Sequence, residues 1–128
     1  MGGKMLGDAD VMVTLPVKNL DVARKFYEDK LGLKRGSTAE ASVLSFISGS
    51  SVILVYESQY AGTNEATAAT WAVDDVDSVV RDLKAKGVDF ERYEMPHVKH
   101  EGDVHVFGKR RNAWAKDPDG NILSIVNK

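Results

Sequence analysis

Five residues, Val17-Lys18-Asn19-Leu20-Asp21, return like on like as Val73-Asp74-Asp75-Val76-Asp77, about 56 positions later. Each copy sits at the same kind of junction. Before the first, Val13, Leu15 and Val17 alternate with Met12, Thr14 and Pro16, the period of a strand with one face on a core; before the second, Trp71 and Val73 take the core-facing places. After each copy the period lengthens to that of a helix, with Leu20, Ala23, Phe26 or Tyr27, and Leu31 in the first and Val76, Val79, Val80 and Leu83 in the second. Asn19 or Asp21, and Asp75, are the available N-caps, and Gly32 and Gly87 the left-handed stops. Such a repeat implies two units that cannot each bury their own sheet face. Their sheets must pack or join, within the chain or across a dimer.

The remaining segments complete two α+β modules. Val43 to Ile47 and Val52 to Tyr56 read as strands joined by a turn at Ser48-Gly49-Ser50, after a polar stretch from Gly36 to Ser42. The second half ends with the Pro-and-Gly turn Asp117-Pro118-Asp119-Gly120-Asn121 and the apolar strand Ile122 to Val126. Module one thus covers about residues 8–58 and module two about 67–127, joined by a linker from Ser58 to Ala66 that bends at Gly62 and Asn64. At 128 residues the chain has the length of one domain, residues 1–128. Met1 to Gly7 reads as a frayed tail.

Composition narrows the partners. With 17 basic against 19 acidic residues and a formal charge of −2, no long-range field draws the chain to nucleic acid. No apolar run approaches a membrane span. The absence of cysteine excludes disulfides and thiolate chemistry and fits a reducing compartment, the cytoplasm by default.

Three stretches resemble the glyoxalase/bleomycin-resistance/dioxygenase (vicinal oxygen chelate) superfamily: Leu15 to Leu20 running into Lys25-Phe26-Tyr27-Glu28-Asp29-Lys30-Leu31-Gly32-Leu33; Trp71 to Val76 running to Gly87; and Asp117 to Asn121. The resemblance implies paired βαβββ units whose curved mixed sheets surround a cleft, with dimerisation often completing the pocket. It also implies where a divalent metal would be held in metal-dependent members, namely at Met12, Leu54, Ala68 and Ser124 of this chain. A thioether is a poor ligand for such an ion, and Leu54 and Ala68 offer no donor. A metal-free member without cofactor is therefore expected.

By alternation, Met12, Thr14, Leu54, Tyr56, Ala68, Thr70 and Ser124 share the concave side with Ala72, Ile122 and Val126, a mostly apolar lining with scattered hydroxyls. Trp114, with Phe107 nearby, offers a stacking wall, whereas Trp71 falls on the opposite face. The expected function is binding of an apolar or aromatic small molecule, an antibiotic among the possibilities, by a cytoplasmic homodimer without nucleic-acid or membrane partners. The alternative is a divalent-metal lyase or dioxygenase with atypical ligands. For that alternative the available residues are His97, His100 and His105 with Glu101 and Asp103, in a stretch, Pro96 to Asp103, that reads as a mobile loop with surface histidines. Lys109-Arg110-Arg111 reads as a solvated turn or an anion contact, and Glu57, Glu91 and Glu94 as strand-end carboxylates.

Overall fold

The computed structural model describes residues 5–37 and 40–128. Met1 to Lys4 of the expected tail, and Thr38 and Ala39 within the polar stretch, lie outside the described residues. A single 3₁₀ turn, Leu6–Asp8, precedes the first module.

Module one runs β1 (Val13–Val17), α1 (Leu20–Arg24), β2 (Lys34–Arg35), β3 (Val43–Ser48) and β4 (Ser51–Glu57), in the sheet order β1-β4-β3-β2 with β1 parallel to β4. Module two begins with β5 (Thr67–Val73) and α2 (Val76–Ala85), and continues through β6 (Phe90–Glu91), β7 (Lys99–Glu101), β8 (Val104–Phe107), β9 (Arg110–Lys116) and β10 (Ile122–Asn127). Its path β5-β10-β9-β6 reproduces that of module one, with β5 parallel to β10. Strand β9 pairs β6 through Ala115 and Trp114, and pairs β8 through its first residues, Arg110 to Asn112. The β7–β8 hairpin is therefore an addition to the repeated unit, lying between β6 and β9. It replaces the loop expected from Pro96 to Asp103.

The caps form as the sequence requires: Asn19 accepts from Val22 N at 3.0 Å and Asp75 from Ser78 N at 3.1 Å. Gly32 and Gly87 end the helical segments at φ 75° and 89°. One local feature exceeds the simple periodicity. After Arg24 the helix widens into a π turn over Lys25–Lys30, with Leu31 N bonded to Phe26 O at 3.0 Å. The extra residue per turn lets the adjacent Phe26 and Tyr27 both be buried, where a regular stripe would hold one of them.

The main core ignores the module boundary. Leu15, Val17, Phe26, Tyr27, Phe46 and Val55 of module one pack in one cluster with Ala69, Val88, Ala115 and Leu123 of module two. A polar clamp reinforces it. The Asp117 carboxylate, 5% exposed, accepts from Tyr27 Oη at 2.7 Å, Asn121 Nδ2 at 2.7 Å, and the backbone N–H groups of Asp119 (2.9 Å) and Asn121 (2.8 Å). Asn121 Nδ2 also donates to Pro16 O of β1 at 2.8 Å. Burial, then the Asp117 charge, pushes the Tyr27 hydroxyl pKa upward, so it stays a donor. The turn read in the sequence as a chain reversal is thus the polar joint between the modules.

The linker packs on the same turn. Gly62 has φ 84°, and a Cβ there would stand 2.7 Å from Asp119 O. Gly62→Ala is expected to cost about 2 kcal/mol, combining left-handed strain with backbone displacement. Gly49→Ala, at φ 58° with nothing within 4 Å, supplies the strain alone and should cost about 1 kcal/mol. Equal losses in urea unfolding would show that the linker does not press on the turn.

Candidate functional site

Alternation along β10 sorts the second sheet into two faces. Leu123 and Ile125 turn toward the helices, while Ile122 and Ser124 turn the other way with their partners Thr70 and Trp114. On this second face lies a cleft of about 520 Å³, floored by Trp114, Lys116, Thr67 and Ile122 and walled by Tyr93, Met95 and the linker residues Asn64 to Ala66. The Trp114 indole N–H donates to Thr67 Oγ1 at 3.2 Å, and its ring meets Tyr93 (5.4 Å between centroids, 72°) and His105 (4.8 Å, 84°) edge to face. Three contacts fix this tryptophan. Phe107, suggested as its companion, is instead 39% exposed at the end of β8.

The inserted hairpin supplies the support. Glu101 pairs with Val104, so Gly102-Asp103 is a two-residue turn that brings His100 directly opposite His105, with ring centroids 4.7 Å apart. His105 is fully buried and His100 half-buried, which corrects the reading of both as surface side chains; His97 alone is exposed. His105 Nε2 accepts from Tyr93 N at 2.8 Å, which places the ring proton on Nδ1, and His100 Nε2 donates to Tyr93 O at 3.1 Å. The two imidazoles grip both backbone groups of the residue that walls the cleft. Burial first, and His100 second, lower the His105 pKa, against weaker backbone contacts with Asn112 and Asp103. The alternation Val104-His105-Val106 and the Gly-Asp turn were available signals for this hairpin.

The other anticipated residues fall into separate groups. Thr14 and Leu54 are register partners on the first sheet, with Tyr56 two residues along the same face and Met12, half exposed, just ahead of β1. Thr70 and Ser124 pair on the second sheet; Ser124, 2% exposed, donates to Asn112 Oδ1 at 2.9 Å. Ala68 lies at a bulge, where Ile122 pairs with Thr67 and Leu123 with Ala69; this irregularity breaks the alternation and packs Ala68 against the main core. Of the residues anticipated for the concave face, Trp114 and Ile122 line the 520 Å³ cleft. Thr67, Tyr93 and Lys116 are additional lining residues that periodicity did not single out.

The donor set does not suit a divalent ion. Met12, Leu54 and Ala68 bring no oxygen or nitrogen, and the Ser124 hydroxyl is engaged with Asn112. Among the described residues no three His, Asp or Glu side chains converge, and the Nε2 atoms of His100 and His105 are both taken by Tyr93. The basic cluster is also committed internally: Arg111 Nη2 reaches Asp77 and Glu101 at 2.9 Å each, which raises its pKa, and Arg110 donates to Asn127 O. Glu91 pairs with Lys116 at 3.1 Å and holds the ammonium pKa up, and with Glu65 of the cleft wall the pair gives the cleft a charged rim.

No helix among the described residues is long and apolar enough to cross a membrane. In structure, the chain is similar to a glyoxalase family protein from Enterococcus faecalis (TM-score 0.73, 18% identity, 95% of this chain and 99% of that one). It is likewise similar to a fosfomycin resistance protein from Listeria monocytogenes (0.70, 18%, 94% and 93%) and to a lactoylglutathione lyase from Agrobacterium tumefaciens (0.67, 18%, 94% and 93%). No curated protein matches it in sequence. The sequence model of the glyoxalase/bleomycin resistance protein/dioxygenase superfamily matches residues 11–125, and with its two open mixed sheets in the order β1-β4-β3-β2 and β5-β10-β9-β6 the chain belongs to that superfamily.

Proposed function

We propose that this protein binds a small, planar, largely apolar molecule without a metal ion, as a cytoplasmic homodimer. The observation that carries the reading is a cleft floored by a tryptophan immobilised by three partners, on a fold whose metal positions hold Met12, Leu54, Ala68 and an engaged Ser124. A fixed indole offers contact area without an ordering cost on binding. Thr67 and the Lys116–Glu91 pair form the polar rim that orients the ligand. In the dimer, the exposed face of the partner's first sheet, with the Met12, Thr14, Leu54 and Tyr56 positions, closes over the second-sheet face that bears Thr70 and Ser124. Antibiotics belong in the ligand panel because one similar structure is a fosfomycin resistance protein.

A thermal-shift screen of aromatic metabolites and antibiotics, followed by calorimetry, tests the reading, since a ligand of the native state raises Tm. Trp114→Ala is expected to weaken any hit at least about tenfold, the loss of one buried stacking contact. Chelator treatment should leave the affinity unchanged. Binding or turnover that needs added divalent metal would instead establish the lyase or dioxygenase alternative, and an affinity indifferent to Trp114 would move the site elsewhere.

A further inference from the structure

The helix-facing side of the second sheet carries a separate hollow of about 170 Å³, behind Leu123 and Ile125 and beneath α2. Leu31, Leu33, Trp71, Val79 and Leu83 surround it, and each is only partly buried although each packs on a core. Large apolar side chains brought together from both modules are therefore left with exposed area around one recess. Its wall has one polar pair: Trp71 Nε1–H donates to Ser48 Oγ at 2.8 Å. Among the described residues the Ser48 hydroxyl has no acceptor for its own proton.

These features select an occupant. The recess opens to solvent, and water within it meets an apolar wall with one hydroxyl donor, so an apolar occupant displaces poorly held water. An enclosed apolar cavity of about 150 Å³ admits benzene, which sets the size of ring that about 170 Å³ can take. No charged side chain lines the recess, so an ionic ligand would lose its hydration uncompensated. We infer that the hollow is a binding site for a neutral single-ring aromatic molecule bearing one hydrogen-bond acceptor, which receives the Ser48 hydroxyl proton. It stands apart from the Trp114 cleft, on the opposite face of the sheet, and does not depend on the function proposed for that cleft.

The two tryptophans report the two sites separately, Trp114 the cleft and Trp71 the hollow. In a Trp114→Phe chain, bromobenzene is expected to quench Trp71 emission along a saturating curve. Filling the hollow with Val79→Phe, or with Leu33→Phe should that chain not fold, should leave the linear response of random collision. Anisole and ethylbenzene, nearly the same shape, should both displace bromobenzene, anisole about fivefold more tightly through its ether oxygen. Ser48→Ala should erase that preference. Linear quenching in the unfilled chain, or saturation that survives both fillings, overturns the site. Equal competition by the two probes overturns the acceptor requirement, and saturation that fades as protein concentration rises assigns the hollow to a second copy instead.

Discussion

Asp117→Ala is expected to lower the unfolding free energy by about 3–4 kcal/mol, more than any apolar truncation of a single methyl group in the same core. The carboxylate is one acceptor for Tyr27 Oη, Asn121 Nδ2 and two backbone N–H groups, and all of these bonds but the one from Asp119 N are buried from water that could replace it. Its removal strands donors on both modules at once. Tyr27→Phe removes one of the same bonds and leaves the others, so it should cost about 1–2 kcal/mol. The two losses will not add, because the double variant breaks their shared bond once. Urea unfolding of the three variants decides the matter: if Asp117→Ala costs no more than Tyr27→Phe, the turn is a surface reversal and the modules are held by apolar packing alone.

Acid should weaken the protein through His105. Its Nε2 accepts from Tyr93 N, so a protonated ring would set one donor against another. His100 from β7 and Arg92 both disfavour the added charge, and burial disfavours it most. The native state therefore binds this proton less readily than the unfolded chain, whose histidine titrates near about 6.5. Stability is unaffected by this group well above that pH and falls as pH drops through it toward the lowered native value, by at most about 1.4 kcal/mol per pH unit. His105→Phe abolishes that slope while costing about 2–3 kcal/mol at neutral pH, since Tyr93 N loses its acceptor. The check is the difference between wild type and variant in urea stability from pH 7.5 to 5.5; parallel curves would mean that the ring is already free to take the proton. Because Tyr93 walls the cleft, ligand affinity should weaken over the same interval.

The sequence already contained the repeat and the family resemblance, and the caps at Asn19 and Asp75 and the stops at Gly32 and Gly87 form as read because each depends on residues close in the chain. The lining of the candidate cleft was legible in part. Trp114 was marked, and Trp71 was assigned to the other face, where it bonds Ser48. Three features escaped. One inserted residue at Ala68 shifts the phase of β5, which period-two counting cannot detect. The π turn buries Phe26 and Tyr27 together, where a regular helix forces a choice. The histidine hairpin carried only a short signal, the alternation Val104-His105-Val106 and a Gly-Asp turn, within a polar stretch that reads as a loop.

Local order along the backbone, read from spacing and capping chemistry, therefore determined which elements exist and in what sequence they recur. Only the tertiary structure decided that Asp117 would receive a tyrosine from 90 residues away, and that two histidines would face inward and hold Tyr93 against Trp114. The reason is physical: a helix cap or a turn is satisfied by neighbours within a few bonds, whereas a buried donor takes whichever acceptor the folded chain brings to it, and sequence separation carries no trace of that meeting.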